Sequence, residues 1–147
     1  MEKIILNTDG GARGNPGPAG AGAVVTGGTG QVLAKASKYL GETTNNEAEY
    51  QGVILGLETI KKNFSKDKLK NLQVEVRLDS ELVTRQLLGQ YQVKEERLWP
   101  WFMKINNFRV SDFPNISFTH VPREANAVAD ELANEAMDKQ TTGGLFN

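Results

Sequence analysis

Four acidic residues stand far apart in the chain, and each lies in a segment that predicts a carboxylate at one rim of a sheet. They are Asp9, Glu49, Asp79 and Asp130. Carboxylates that come together without compensation repel one another and are costly to desolvate, so a cluster of four persists mainly where divalent cations neutralise it. The pattern therefore indicates metal-dependent chemistry.

The composition limits the class of protein. The 147 residues, of which 39% are hydrophobic and 24% charged, are expected to form one soluble domain with a full core. The absence of cysteine excludes disulfides and thiolate zinc sites, and the single histidine excludes sites with several histidine ligands. No apolar run approaches the roughly 20 residues of a membrane span, and Met1–Lys3 leads straight into a strand. We therefore expect a cytoplasmic protein with no membrane contact.

The balance of charge bears on any nucleic-acid partner. Lysine and arginine number 17 against 18 aspartates and glutamates, which gives a net charge of −1. Such a surface is poorly suited to hold long duplexes by non-specific electrostatic attraction. Contact with nucleic acid is therefore expected to be local and assisted by metal.

The first part of the chain predicts a β-meander. Apolar runs over residues 3–9, 19–26 and 31–40 are typical of three strands, with the glycine-rich turn 27–30 between the last two. The segment 10–20 is rich in glycine and contains two prolines, so it is expected to be a loop whose backbone can lie close to a ligand.

A helix is expected to begin near Thr44 and to carry one of the four carboxylates. Apolar residues recur at spacings of three and four from Val53 onward, and Glu49 lies one turn earlier on the same stripe. Gly52 and Gly56 beside this stripe each cost about 1 kcal/mol of helix propensity. That cost is understandable if the helix must approach a sheet closely.

The second part of the chain predicts strands that alternate with helices. Alternating apolar residues over 72–78 indicate a strand, and Ser80 is a natural N-cap for the helix that follows. Asp79 therefore falls at the carboxyl end of a strand, which is where α/β sheets usually bind ligands. Pro100 is expected to interrupt the next helical stretch, over residues 98–108.

The last elements complete a single domain. Residues 116–120 alternate as a final strand, and Asn126 is expected to cap a final helix whose first turn holds Asp130. The order β-β-β-α-β-α-β-α contains no repeat and no linker. We expect one domain over residues 1–138 and a tail over 139–147 that is either flexible or an added edge strand through 144–146.

Four signatures in the chain resemble those of type 1 ribonuclease H. They are Thr8-Asp9-Gly10-Gly11 with Asn15-Pro16-Gly17, Thr43-Thr44-Asn45-Asn46 with Glu49, Leu78-Asp79-Ser80, and the run from Val121 to Ala133 that contains Asp130. They occur in the family's order and span about residues 4–137. The resemblance implies an α/β ribonuclease H-like fold, with a five-stranded mixed sheet of order 3-2-1-4-5 and helices on both faces.

The resemblance also implies an activity. Members of this family are endoribonucleases that hydrolyse the RNA strand of RNA/DNA hybrids and leave a 5′ phosphate and a 3′ hydroxyl. Four hard oxygen ligands suit two Mg²⁺ ions, with Mn²⁺ as a substitute, and two such ions can stabilise both the attacking and the leaving oxygen. By similarity Asp9 would bridge both ions, Asp130 would help hold the ion at the water, and Glu49 and Asp79 the ion at the leaving oxygen. We expect a monomer.

Substrate contacts are assigned by the same similarity. The backbone of the glycine-rich segment is expected to read 2′ hydroxyls, three asparagines to contact the groove, and one threonine to meet a backbone phosphate. These residues are Gly10, Gly11 and Ala12, then Asn15, Asn45 and Asn46, then Thr44. Two of the signals have ordinary structural readings, since Asn15-Pro16-Gly17 is also a turn pattern and Thr44 also a helix cap.

Two features depart from the family's usual pattern. Many members carry a mobile histidine after the last strand, and the matching position here is Arg123, in a shorter loop. We therefore expect Arg123 to assist catalysis in preference to His120, which lies within the strand pattern. The basic protrusion of some members is absent, because residues 89–98 are short and mixed in charge. Weak affinity for the hybrid and a strong need for metal follow.

Two other function classes, a non-catalytic nucleic-acid-binding module and an ATP-using phosphotransferase, share this architecture. A non-catalytic nucleic-acid-binding module of the same fold would have no chemical reason to keep all four carboxylates. An ATP-using phosphotransferase of related architecture uses two such domains, and one domain of 147 residues leaves no cleft for the nucleotide. Metal-dependent cutting of a labelled hybrid, a gel shift without cutting, or ATP turnover would distinguish the three classes.

Overall fold

A β-meander opens the chain and alternating helices and strands follow it in the computed structural model, which describes residues 1–140 and 143–144. The strands are β1 (Glu2–Ala12), β2 (Gly17–Gly27), β3 (Val32–Thr43), β4 (Leu72–Leu78), β5 (Ile116–His120) and β6 (Gly143–Gly144). The helices are α1 (Asn45–Asn63), α2 (Lys66–Leu69), α3 (Glu81–Leu87), α4 (Trp99–Ser111) and α5 (Ala127–Lys139). Short 3₁₀ turns, Glu96–Leu98 and Arg123–Asn126, precede α4 and α5.

The strands form one mixed sheet in the order β5-β4-β1-β2-β3-β6. The meander strands pair antiparallel, whereas β1 pairs parallel with β4 and β4 parallel with β5. The predicted five-stranded order 3-2-1-4-5 is confirmed. The short β6 extends it beyond β3, with Gly143 and Gly144 opposite Ser37 and Ala36. Leu145 and Phe146, which were also candidates for an edge strand, lie outside the described residues.

The main core lies on one face of the sheet, beneath α1, α3 and α4. The predicted alternation in β4 is confirmed, because Leu72, Val74, Val76 and Leu78 are all fully buried. They join large aliphatic side chains of β1 and α1 in one apolar cluster. This cluster holds β1 and β4 side by side, so that their carboxyl ends lie at the same edge of the sheet.

Helix α1 crosses β1 so closely that glycine is required at the crossing. A Cβ atom on Gly52 would lie 2.6 Å from the carbonyl oxygen of Asp9, and one on Gly56 would lie 2.6 Å from Leu6 Cδ1. The close approach expected from these two glycines is therefore confirmed. It places the first turns of α1, including Glu49, directly against the end of β1.

Helix α5 packs on the opposite face by a similar device. A Cβ atom on Gly20 would lie 2.4 Å from the carbonyl oxygen of Ala133, and one on Gly22 would lie 2.2 Å from that of Ala129. The residues of α5 that face the sheet are mostly small, because Ala129, Ala133 and Ala136 are buried there. The second layer is consequently thin compared with the main core.

Three expectations about local structure differ from what the chain forms. Pro100 does not interrupt a helix, since it lies in the first turn of α4, where the missing N–H is not needed. The loop expected over residues 10–20 is limited to residues 13–16, because β1 extends to Ala12 and β2 begins at Gly17. Asn126 precedes α5 but its side chain makes no capping hydrogen bond, because it bonds to β1 instead. None of the described helices is long and apolar enough to span a membrane.

Candidate active site

Two of the four predicted carboxylates come from neighbouring parallel strands. Asp9 lies within β1, beyond the last residue that pairs with β4, and Asp79 follows directly after β4. Asp79 is fixed by the start of α3, where the N–H of Val83 donates to Ser80 Oγ at 3.2 Å. The predicted Ser80 cap is thereby confirmed, and the turn from β4 into α3 holds Asp79 at the rim of the sheet.

The third carboxylate is held by the beginning of α1. The N–H of Glu47 donates to Thr44 Oγ1 at 3.2 Å, so Thr44 is the N-cap that the sequence predicts. Glu49 is only 7% exposed, and its Oε1 accepts a hydrogen bond of 2.9 Å from the N–H of Gly10. Its Oε2 is buried and has no hydrogen-bond partner within the described part of the chain. One oxygen of the buried Glu49 carboxylate is thus available to a ligand.

The other three carboxylates lie around Asp9. One oxygen each from Asp9, Glu49 and Asp79 can be chosen so that all three lie within 4.8 Å of one another. Asp130, in the first turn of α5, lies close enough to raise the pKa of Asp9 and of Asp79. Asp130 does not belong to the tight group of three but borders it.

The proton affinities of these groups show how poorly the cluster tolerates its own charge. Burial, together with the repulsion of Asp79 and Asp130, raises the pKa of Asp9 to about 7. Burial and the adjacent Asp9 hold the pKa of Glu49 well above its ordinary value. Burial also raises the pKa of Asp79, although the Arg123 guanidinium acts in the opposite direction. Positive charge at this position would relieve all three groups.

The donor set fits a divalent cation. Carboxylate oxygens are the ligands that Mg²⁺ and Mn²⁺ prefer, and a bound cation inverts the local proton affinities by favouring the ionised forms. The unpartnered Oε2 of Glu49 supplies an oxygen that no group of the described chain uses.

An open cleft of about 430 Å³ lies over the cluster and gathers most of the predicted site residues. Besides the four carboxylates, its walls include Gly10, Gly11, Ala12, Asn45, Asn46 and Arg123. Thr44 and Asn15 lie beside the cleft. Their side-chain oxygens accept hydrogen bonds from backbone N–H groups in the first turn of α1. His120 is exposed at the end of β5 and does not belong to the described lining.

The glycine-rich segment is tied to α1 by two asparagines. The N–H of Ala12 donates to Asn45 Oδ1 at 2.8 Å, and the N–H of Asn45 donates to Asn15 Oδ1 at 3.0 Å. The N–H groups of Gly10 and Ala12 are therefore already used within the protein. A 2′ hydroxyl could meet these two residues only through their other backbone groups.

The sequence did not single out Arg13, which lines the cleft, or Glu95, which pairs with Asn46. Arg13 reaches across from the glycine-rich segment to α5, where its guanidinium lies 2.7 Å from Asp138 and 3.2 Å from Asn134 Oδ1. Asn46 Nδ2 donates to Glu95 at 3.0 Å, which places a carboxylate next to a predicted substrate contact. A basic residue inside a glycine-rich loop was the one available signal for Arg13, whereas nothing local predicted the pairing of Glu95.

Comparison with known proteins gives a consistent result. Residues 7–136 match a family model described as reverse transcriptase-like. The chain is 42% identical to a bifunctional protein of Mycobacterium tuberculosis over 137 residues, 92% of this chain and 36% of that protein. It is 40% identical to ribonuclease HI of Halobacterium salinarum over 88% of this chain and 62% of that protein. The chain thus spans about a third to two thirds of these relatives.

A solved structure resembles the whole domain. LC11-RNase H1, isolated from compost by a metagenomic approach, superposes with a TM-score of 0.89 at 54% identity, over 95% of this chain and 99% of that one. A second structure of the same protein contains an RNA/DNA hybrid and gives a TM-score of 0.89 at 53% identity, over 93% and 98% of the two chains. The described fold is therefore that of LC11-RNase H1 over nearly the whole length of that chain.

Proposed function

The chain belongs to the type 1 ribonuclease H family, and we propose on that basis that it is an endoribonuclease that hydrolyses the RNA strand of RNA/DNA hybrids. The observation that carries the proposal is the grouping of three carboxylates around Asp9 at the floor of an open cleft. A similar domain, at 53% identity, has been solved with such a hybrid bound. The products would carry a 5′ phosphate and a 3′ hydroxyl.

Two divalent cations are proposed as cofactors, Mg²⁺ with Mn²⁺ as a substitute. Asp9, Glu49 and Asp79 would hold one of them, because their oxygens converge, and Asp9 with Asp130 would hold the other. When bound, the two ions supply the positive charge that stabilises the attacking and leaving oxygens of a phosphodiester. The protein's part is to bring the four carboxylates together, although burial disfavours their ionised forms until cations bind.

Arg123 is proposed to act on the phosphate or on release of the product. Its exposed guanidinium lines the cleft, close enough to Asp79 to lower the pKa of that carboxyl. A guanidinium donates several hydrogen bonds in one plane and matches the oxygens of a phosphate. The exposed position leaves Arg123 free to turn from Asp79 toward a phosphate in the cleft.

The two strands of the hybrid are proposed to be distinguished by different groups. The glycine-rich segment and Glu49 would face the 2′ hydroxyls of the RNA strand. Asn15 and Asn45 accept backbone hydrogen bonds through their oxygens, so their Nδ2 groups are the ends that can donate to the other strand. Every base pair presents a purine N3 or a pyrimidine O2 in the minor groove, so recognition by donors alone would be independent of sequence.

The remaining predictions from the sequence are proposed as well. A monomer suffices for the site, because the four carboxylates and Arg123 all come from one chain. The extent of the catalytic domain, residues 1–138, and a cytoplasmic location stay predictions. The contact of Thr44 with a backbone phosphate is also retained as a prediction.

Initial cleavage rates on matched labelled substrates test the proposed function. In Mg²⁺ and in Mn²⁺ we expect rapid cutting of the RNA/DNA hybrid, slow cutting of duplex RNA, and almost no cutting of single-stranded RNA or duplex DNA. The Asp79→Asn variant provides the matched control, since it should remain folded and lose cleavage. A gel shift without cutting would identify a binding module instead. Equal rates on the hybrid and on duplex RNA would contradict the proposal that different groups of the protein distinguish the two strands.

A further inference from the structure

Asn126 makes contacts that a helix cap does not explain. Its side chain is almost completely buried, with 1% exposed. The Nδ2 group donates to the carbonyl oxygen of Thr8 at 2.7 Å, and Oδ1 accepts from Asn7 Nδ2 at 3.1 Å. The orientation of the amide is determined by these partners, because the carbonyl of Thr8 can only accept. Asn126 thus bonds with both of its ends to β1.

These two bonds join the segments that carry two of the carboxylates. Thr8 directly precedes Asp9 in β1, and Asn126 lies one helical turn before Asp130. The residues joined are separated by 118 positions in the chain. The Asn126 side chain is therefore a direct polar link between the strand of Asp9 and the helix of Asp130.

Apart from Asn126, α5 is held by its close approach to β2 and, in its later turns, by exposed contacts of Arg13 with Asn134 and Asp138. The close approach at Gly20 and Gly22 sets how near the helix lies to β2, but backbone against small residues offers few interlocking side chains. Hydrogen bonds are directional, and a buried acceptor left without its donor is costly. The buried hydrogen bonds of Asn126 therefore fix the position of the first turn of α5 along the helix axis.

We propose that Asn126 is a positioning residue of the cation site, which sets the placement of Asp130 relative to Asp9. The inference rests on the proposed function, because it assumes that these two carboxylates hold a divalent cation. Groups that orient metal ligands from behind typically change metal affinity by about 10- to 100-fold when they are removed. Asn7 contributes from the same side, since its Nδ2 donates both to Asn126 and, at 3.3 Å, to the carbonyl oxygen of Ala125.

Binding of Mn²⁺ to the free protein, measured by isothermal titration calorimetry below the melting temperature of each variant, tests the proposal without substrate or turnover. We expect Asn126→Ala to weaken Mn²⁺ binding about tenfold or more. We expect Asn7→Ala, which keeps the bond to Thr8, to weaken it by about two- to fivefold, as for a partial loss of such support. The matched control is Val74→Ala, which destabilises the core about 16 Å along β4 from Asp79. It should change the affinity less than twofold.

The outcomes separate this inference from the proposed function. Folded Asn126→Ala that binds Mn²⁺ within twofold of wild type would overturn the positioning role. If Asn126→Ala does not fold, wild-type affinity in Asn7→Ala would overturn it. Weakening by Val74→Ala to the same extent would assign the effect to general stability and also overturn it. Wild-type protein that binds Mn²⁺ but cuts no hybrid would remove the proposed function alone, whereas absence of Mn²⁺ binding would overturn both.

Discussion

The two helices that bring carboxylates to Asp9 are anchored to the sheet by different means. Helix α1 inserts large aliphatic residues, Val53, Leu57 and Ile60, which are fully buried in the main core. Helix α5 presents three alanines and Met137 to its face of the sheet and is tied further by the buried polar link through Asn126 and by exposed contacts of Arg13. Burial of a large aliphatic side chain contributes about 1.5 to 3 kcal/mol, and an alanine methyl far less. The anchorage of α1 is consequently much the stronger.

The carboxylates on these two helices also differ in how firmly they are held, with Glu49 on α1 held more firmly than Asp130 on α5. Glu49 on α1 is 7% exposed and has one oxygen fixed by the N–H of Gly10. Asp130 on α5 is half-buried and lies outside the tight group of three, although its charge acts on Asp9 and Asp79. A strongly anchored helix can keep a carboxyl group in a position where desolvation opposes its ionisation. A lightly anchored helix keeps its carboxylate near water. The α1 side of the site should therefore be rigid and the α5 side adjustable.

The largest expected effect is on cleavage when single carboxylates are neutralised. Glu49→Gln and Asp79→Asn should each reduce cleavage of the hybrid by at least about 10³-fold, because the three convergent ligands act as one unit. Asp130→Asn should reduce it by only about 10- to 100-fold, since an adjustable ligand lies outside the tight group. Single-turnover rates in saturating Mg²⁺ provide the measurement. Equal losses in all three variants would contradict the proposed difference between the helices.

Arg123 belongs to the α5 side and offers the next test. Arg123→Ala should lower turnover by roughly 10- to 1000-fold, in the range of other deletions of single charged groups. His120→Ala, which alters an exposed residue outside the described lining of the cleft, should change turnover less than about twofold. Steady-state kinetics in saturating Mg²⁺ distinguish the two. The reverse ranking would show that the histidine, and not the arginine, serves the reaction.

The glycines at the two helix crossings test the anchorage itself. Gly52→Ala places a methyl group against the backbone of Asp9 and should cost about 3 kcal/mol of unfolding free energy, because α1 cannot move without disturbing the main core. Gly22→Ala meets the backbone of Ala129 but should cost only about 1 to 2 kcal/mol, since α5 can lift with little loss of apolar contact. Urea denaturation measures both. A larger loss for Gly22→Ala would reverse the comparison.

The smallest expected effect concerns the dependence of stability on pH without divalent ions. The pKa of Asp9 is raised from 3.8 to about 7, so the folded protein retains a proton over this range that the unfolded chain has lost. The contribution of Asp9 to stability should therefore fall as the pH rises from about 4 to about 7 and stay level above that. Asp9→Asn should lose the part of the slope that belongs to Asp9 and, at pH 8, melt about 5 °C higher than wild type. Identical slopes in the two proteins would contradict the assignment.

Much of the fold was predictable because its determinants are local. The period-two pattern of β4, the Thr44 and Ser80 caps and the spacing along α1 each depend on neighbours in the chain. The sheet order followed from a resemblance carried by several motifs in register. Pro100 was misjudged because the same residue that breaks a helix interior is favourable in the first turn, and its position in the element was not known.

The site was predictable in its members but not in its internal bonds. The four carboxylates could be named from their motifs, whereas the uses of Asn45, Asn126 and Glu95 depend on partners 33 to 118 residues away. An asparagine before a helix predicts a cap when only the local chain is considered. Here a carbonyl of β1 competes for the same amide, and tertiary contact determines the outcome.

The link between Thr8 and Asn126 has a consequence for synthesis of the protein on the ribosome. The strand that carries Asp9 is made first, and α5 follows it by more than a hundred residues. A nascent chain that ends before α5 already contains Asp9, Glu49 and Asp79, but neither Asp130 nor the amide that would position it. Completion of the carboxylate cluster thus coincides with emergence of α5, so the proposed nuclease site is assembled only once this helix has been translated.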